Sequence, residues 1–431
     1  KQLNSPIYRW PGGNFVSGYD WRDGIGPRDR RPPRKNPAWT GVDSNDVGID
    51  EFLDLCREIG TEPMIAVNTG FGDDYSAAQE VEYANGFEDT VAGLWRIENG
   101  HKEPYRVKYW CVGNEMWGDW QLGHMKFDHY ALKHNRFVAA MRKVDPKIIL
   151  VASGDLGTKI TVGNGADKRE SNWSQGMLER CSESMGFISE HFYKGNTPWG
   201  DKPPSELPLY VALLKDEIRG KAKLHRELQM RLGRKPDQFI PIAMDEWNYW
   251  HRKYKYGELG CEYSLADALG VAAGLHEYFR NTDIIHMANY AQTVNVIGCI
   301  KTTKTAAFFD TTALPLMLYR GVFGTLPLAV KGNQAERSID VAAARTEDGA
   351  AITVGIINPH SEAETIGLSV NGLRPKPSAT AWRIAGTNPA ATNSAENQAV
   401  SIVEERDVPF GELITVPPYS INVYKVPLIK Q

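Results

Sequence analysis

Val107-Lys108-Tyr109-Trp110-Cys111-Val112-Gly113-Asn114-Glu115-Met116 is a short apolar run that ends on a glycine and then presents an amide and a carboxylate. Far downstream, Phe239-Ile240-Pro241-Ile242-Ala243-Met244 repeats the arrangement and is followed by Asp245-Glu246-Trp247-Asn248. Both runs are rich in β-branched or aromatic residues, as strands buried on both faces are. Each glutamate sits where its strand meets a loop. In a barrel of parallel strands wrapped by helices, side chains at the carboxyl ends converge on one mouth, so residues distant in sequence can flank one substrate bond.

A single glutamate at a strand end reads equally well as a helix cap or a surface ion pair. A pair, each beside an Asn and a Trp able to serve a sugar hydroxyl and a sugar face, points to cleavage of a glycosidic bond.

Working outward, strand-like runs fall at Ile7-Arg9, Met64-Val67, Lys108-Val112, Ile148-Ala152, Phe187-His191, Ile240-Met244 and Ile284-Ala288. Between them, Phe52, Leu55, Cys56 and Ile59 repeat at helical spacing up to Gly60, and Tyr130, Phe137 and Met141 do so before Asp145-Pro146. This alternation predicts an α/β fold, a (β/α)8 TIM barrel over residues 1–321. Eight strands close such a barrel and seven are countable, so either one strand escapes this pattern or the chain begins after it. From residue 322 to 431 short runs at Ile339-Ala344, Ala351-Asn358, Thr365-Val370, Ser378-Arg383, Ala399-Val403 and Ser420-Val426 alternate with Gly, Pro, Asn and Asp. They predict a C-terminal β-sandwich with a packing role, and Thr387–Gln398 reads as a loop.

The chain of 431 residues carries a formal net charge of -4 without any long block of one sign, which argues against a nucleic acid or membrane partner and for a neutral substrate. Twelve tryptophans and eighteen tyrosines suit sugar stacking and a large core alike. The five cysteines (Cys56, Cys111, Cys181, Cys261, Cys299) are scattered, with no C-x-x-C pair, and read as reduced core residues. With no signal-like or membrane-spanning stretch, a cytoplasmic location is expected; a start at Lys1 leaves room for a lost N-terminal piece, including an export signal.

Cofactor chemistry finds no footing. No phosphate-binding loop pattern follows any strand. His124, His129 and His134 advance about 140° per step around a helix and scatter over its surface, so no metal is expected. Gly12-Gly13, just after the first strand, permits close backbone approach and is expected to shape the pocket floor.

The ordered stretches Arg9-Trp10-Pro11-Gly12-Gly13-Asn14-Phe15, Trp110-Cys111-Val112-Gly113-Asn114-Glu115-Met116, His191-Phe192-Tyr193, Asp245-Glu246-Trp247-Asn248 and Asn289-Tyr290-Ala291-Gln292 resemble glycoside hydrolase family 51, chiefly α-L-arabinofuranosidases with some endoglucanases. The resemblance implies a (β/α)8 barrel with a β-sandwich and retaining, cofactor-free hydrolysis of a carbohydrate. It makes Glu115 the general acid/base, with a raised pKa from apolar cover by Trp117 or from the charge of Glu246, and Glu246 the nucleophile. Asn114 would bind the hydroxyl next to the anomeric carbon, and Arg9, Asn14 and Gln292 would hold further oxygens. His191 and Tyr193 would border the nucleophile, Tyr193 as a donor to Glu246. Trp250, one helical turn beyond Glu246, would wall the sugar face. Taken singly, Arg9 reads as an ion-pair partner, Gln292 as a loop residue, and His191 and Trp250 as core groups.

Two departures from the family matter. After Asn-Glu-Met the chain has Trp117-Gly118-Asp119-Trp120 where the arabinofuranosidase branch presents an acidic residue and then Gly-Pro-Trp, which alters the rim. The family's first strand, with a glutamate that binds the glycone, has no counterpart before Ile7, and Lys1-Gln2-Leu3 read as the end of the helix after it. A lost N-terminal segment or a neighbouring subunit, in a homo-oligomer, is expected to cover the gap. An uncovered gap would leave a cleft lined by Trp10, Trp117, Trp120 and Trp250. That cleft favours an endo-β-1,4-glucanase, and misplaced glutamates would leave a silent carbohydrate-binding protein.

Overall fold

The computed structural model describes residues 1–163, 168–200, 202–255, 260–332 and 339–429. Its centre is a sheet of seven parallel strands: β1 (Ile7–Trp10), β2 (Glu62–Val67), β3 (Tyr109–Val112), β4 (Ile149–Ala152), β5 (Phe187–Lys194), β6 (Ile242–Tyr249) and β7 (Ile285–Tyr290), hydrogen-bonded in chain order. The sheet curls into a nearly closed barrel. Its strands alternate: Met64, Ala66, Cys111, Val151, Ala243 and Met287 fill the lumen, while Ile65, Val67, Trp110 and Leu150 face the helices outside.

The outer layer contains α1 (Ile49–Ile59), α2 (Asp74–Asn85), α3 (Val91–Glu98), α4 (Phe127–Val144), α5 (Trp173–Arg180), α6 (Leu207–Arg231) and α7 (Leu265–Arg280). α1 starts where the Glu51 carboxylate accepts from the Gly48 amide at 2.8 Å and stops at Gly60, whose φ of 72° no side chain adopts cheaply. Its Phe52, Leu53 and Cys56 pack on β2 and β3 through one apolar stripe. All five cysteines are buried, and none forms a disulfide. Among the described residues no helix is long and apolar enough to cross a membrane.

Among the described residues β1 pairs only with β2 and β7 only with β6, so a slot separates the two edges. A cavity of about 670 Å³ fills it, running from Arg9, Gly12 and Glu246 past Leu275 and Phe279 to Phe323. Both polar atoms of the Asn289 amide are buried in this region without a hydrogen-bond partner.

Helix α8 (Ala313–Val322) leads to a six-stranded antiparallel sheet. In chain order its strands are β8 (Leu326–Leu328), β9 (Asp340–Arg345), β10 (Ala351–Asn358), β12 (Ser378–Ala385), β13 (Val403–Pro409) and β15 (Ser420–Pro427); β11 (Glu364–Gly367) and β14 (Leu413–Val416) form a separate ribbon. One face, with Ile357, Ile421 and Val423, packs on α7 and α8; the other, with Val354, Tyr424 and Val426, packs with Ile414 and Val416 of the ribbon. Two expectations change here. The run Ala399–Val403 is extended only from Val403 onward, and Leu413–Val416 is a strand that its alternating exposure hid within a polar neighbourhood.

Candidate active site

Strand β6 carries the decisive local irregularity. Its pairing with both neighbours slips between Ala243 and Trp247, the mark of a β-bulge. Ala243 points into the lumen and Met244 outward; Asp245 and Glu246 then both point inward, and Trp247 returns outward to Tyr278. Strict alternation would have sent Glu246 into the helix layer. Glu246 therefore lies inside a strand rather than at its end.

Glu115 reaches the same space by a different device. The chain leaves β3 through Gly113 at φ 87° and Glu115 at φ 44°, which turns the carboxyl back over the barrel mouth. A Cβ at Gly113 would lie 1.9 Å from Thr69 Oγ1, so the turn is open to glycine alone. Donor atoms of Glu115, His191 and Glu246 lie within 4.8 Å of one another. Retaining glycosidases hold their two carboxyls about 5 Å apart, and inverting ones need roughly 6.5 Å or more to admit a water.

Around Glu246, Tyr193 donates to Oε2 at 2.6 Å and Arg9 Nη1 to Oε1 at 3.0 Å. Around Glu115, the Trp120 indole donates to Oε2 at 2.7 Å and His191 Nδ1 lies 2.9 Å from Oε1. Burial pushes the Glu115 carboxyl up, but the hydrogen bond and charge of His191, the Trp120 indole and the Arg9 charge outweigh it, and it rests below its ordinary value. The raised pKa expected from the sequence is thus reversed in the free chain. His191 is the counterpart: burial disfavours its charge, yet Glu246, Asp245 and Glu115 lift its pKa well above the ordinary value. The pair's proton rests on the imidazole.

Glu115, His191 and Glu246 also have the residue types of a cation site.

The other expected residues divide into those the fold brings together and those it diverts. Asn114 is buried, accepting from Arg9 Nη2 and donating to Gln121 Oε1 at 3.2 Å. Arg9 contacts Asp245 through Nε, Glu246 through Nη1 and Asn114 through Nη2, so it holds the acids in place. Asn14 is diverted: its amide donates to the Trp120 carbonyl at 2.8 Å and accepts from the Leu122 amide at 2.7 Å, pinning the loop that carries Trp120. Gln292 lines the slot cavity together with Gly12 and Gly13. A Cβ at Gly12 would meet Arg9 Nη1 at 2.7 Å, so the glycine pair makes room for the arginine.

Trp250 follows β6 directly, so strand alternation, not a helical turn, places it on the face of Glu246. It meets Tyr193 edge to face at 5.1 Å, and the exposed Trp199 meets it in turn at 5.0 Å. Trp10 leaves the cleft altogether, stacked on Phe52 at 5.6 Å against α1. Trp117 donates to the Gly154 carbonyl and braces Trp120 edge-on. Asp245, Ser189 and Gln121 belong to the site without having been assigned to it from sequence, and Trp120, expected only on the rim, donates to Glu115 itself. Only Asp245 had a signal, its place beside Glu246; with Glu246 assigned to the lumen, alternation would have turned Asp245 away.

Comparison with known proteins agrees along the chain. Residues 1–199 match the family model described as alpha-L-arabinofuranosidase 1 domain, and residues 245–420 the alpha-L-arabinofuranosidase C-terminal domain. The probable alpha-L-arabinofuranosidase C of Aspergillus niger is 35% identical over 434 residues, covering 94% of this chain and 82% of that protein. Among solved structures, the arabinose complex of the Thermotoga maritima α-L-arabinofuranosidase superposes with a TM-score of 0.84 at 33% identity, covering 99% of this chain and 88% of that one. The GH51 α-L-arabinofuranosidase of Thermotoga petrophila gives 0.83 at 32%, with the same coverage.

Proposed function

Because this chain belongs to glycoside hydrolase family 51, the α-L-arabinofuranosidases, we propose that it releases terminal α-L-arabinofuranosyl residues from arabinoxylan- and arabinan-type oligosaccharides by double displacement. One observation carries the reading: two carboxylates from distant parts of the chain, within 4.8 Å of each other and both faced by Nδ1 of His191. Glu246, aimed by Tyr193 and Arg9, attacks the anomeric carbon. Glu115 passes a proton to the departing oxygen, then takes one from the incoming water. The proton held by His191 lies one hydrogen bond away from Glu115, which supports that role despite the low pKa of the carboxyl.

Hydrolysis of an aryl α-L-arabinofuranoside and of a soluble β-1,4-glucan, with Glu246→Ala as the blank, tests the proposal. Arabinose release that vanishes in the blank supports it. Glucan cleavage alone moves the function to an endoglucanase, a reading favoured by exposed Trp120 and Trp199 on the rim. Silence on both substrates favours a binding protein.

We further propose that an extended segment closes the slot by pairing with the free edges of β1 and β7, supplied by additional chain or by a neighbouring subunit. The unpaired Asn289 amide and the apolar walls at Leu275, Phe279 and Phe323 support this. A stable monomer of these 431 residues with a dry, uncovered slot would sink the idea.

A further inference from the structure

We propose that Asp245 is the positioning residue that fixes the proton on Nε2 of His191, and thereby makes Nδ1, the nitrogen facing Glu115, the one that gives and takes the mobile proton of the site. The inference rests on the glycosidase reading for its consequence, though not for its geometry.

Asp245 is buried at the lumen wall by the bulge of β6, its side chain 1% exposed. Oδ1 accepts from Ser189 Oγ at 2.6 Å and lies 3.0 Å from His191 Nε2. Oδ2 faces Arg9 Nε at 3.3 Å and the Cys111 thiol at 3.8 Å. Every neighbour is a donor or a cation, so this carboxylate has no proton to offer and Nε2 must be the donor. Burial raises the Asp245 pKa, but the charges of Arg9 and His191 and the hydrogen bonds of His191 and Ser189 bring it below its ordinary value, in agreement with that geometry.

With Nε2 committed, only Nδ1 can change its protonation. It lies 2.9 Å from Glu115 Oε1 and 3.7 Å from Glu246 Oε2. The groups that set its charge are Glu115 after β3, Asp245 and Glu246 on β6, Arg9 on β1 and the Tyr193 phenol on its own strand. The step balances as proton movement alone. As the glycosidic bond breaks, Nδ1 passes its proton to Glu115 and Glu115 passes it on to the leaving oxygen, which leaves Glu115 as a carboxylate and the imidazole protonated on Nε2 alone. When water attacks the glycosyl ester, its proton passes to Glu115 and back to Nδ1.

The same carboxylate also faces Arg9 Nε while Glu246 takes Nη1, so one residue supports both the arginine of the nucleophile and the imidazole of the acid. The bulge explains how consecutive acids share one lumen: Glu246 faces the substrate space and Asp245 the support behind it.

The test is ¹⁵N NMR of the His191 ring in the full chain across pH, with Asp245→Asn measured alongside. We expect the neutral ring to carry its proton on Nε2. In Asp245→Asn, loss of the negative charge should move the alkaline limb of kcat/KM down by about one pH unit and lower kcat about ten-fold with KM little changed. A merely structural role would lower the melting temperature and leave that limb in place. A neutral ring protonated on Nδ1, or an unmoved alkaline limb in folded Asp245→Asn, overturns the proposal. Should the variant not fold, the tautomer of the native chain decides alone. The ring signal needs no substrate, so failure of arabinofuranoside hydrolysis and failure of this inference are separately visible.

Discussion

The phenol of Tyr193 donates a 2.6 Å hydrogen bond to Oε2 of Glu246 from the neighbouring barrel strand. Burial and the Glu246 carboxylate keep the proton on the phenol, so the bond is a fixed donor rather than a titrating one. Tyr193→Phe removes that donor and keeps the ring that Trp250 packs against. We expect kcat on an aryl α-L-arabinofuranoside to fall about ten- to hundred-fold, roughly 1.4–2.7 kcal/mol of barrier, with the melting temperature nearly unchanged. An unchanged kcat would mean that Arg9 alone aims the nucleophile.

The acid/base assignment of Glu115 makes a prediction that depends on the leaving group. Glu115→Ala should slow an arabinoxylan oligosaccharide by about 10²–10⁴, because its departing alkoxide needs a proton. A nitrophenyl arabinofuranoside, whose leaving group departs as a stable phenolate, should lose much less in the glycosylation step and accumulate the ester on Glu246. Added azide, which attacks without a general base, should then restore turnover. Equal loss on both substrates would remove Glu115 from that role.

Gly113 tests the turn that delivers Glu115. Gly113→Ala brings a methyl group to 1.9 Å from Thr69 Oγ1 and places it at φ 87°. Strain and overpacking together should cost on the order of 2–4 kcal/mol in stability and displace the carboxyl enough to lose most of the activity. The double variant Gly113→Ala/Thr69→Ala relieves the clash but not the backbone, so urea melts should recover part of the stability and activity assays much less.

Much of this was legible in the sequence. The seven parallel strands show as apolar runs because both faces are buried, one against helices and one in the lumen, and Met64-Ile65-Ala66-Val67 is written for both at once. The sites at Glu115 and Glu246 show because a strand that ends on Gly-Asn-Glu or contains Asp-Glu-Trp-Asn breaks that apolar texture. What stayed hidden is non-local. No local pattern announces the bulge that turns both Asp245 and Glu246 inward, and strict alternation misdirects one of them. Asn14 reads as a sugar contact until the loop holding Trp120 claims its amide, and no local pattern shows that Arg9 also faces the carboxylate of Asp245. The Glu115 pKa turned on an imidazole 76 positions away in sequence.

Asp340, at the start of β9, ties the C-terminal sheet to the barrel helices: it accepts from His276 Nδ1 at 2.7 Å, Arg280 Nη2 at 2.6 Å and Lys215 Nζ at 3.0 Å. Burial alone would raise its pKa, but the His276 hydrogen bond and the charges of His276, Arg280 and Lys215 drive it well below the ordinary value. A carboxyl whose pKa is depressed by folding adds stability that is fully present above its unfolded pKa of about 3.9 and is lost as pH falls toward the folded value. The melting temperature of the native chain should therefore drop as pH is lowered through and below about 4. Asp340→Asn should lose about 3 kcal/mol near neutral pH, because Arg280 and Lys215 keep their charges beside an uncharged amide. Its melting temperature should also fall less steeply in the acid range than that of the native chain. Parallel pH curves for the two proteins would show that this carboxylate does not govern acid unfolding.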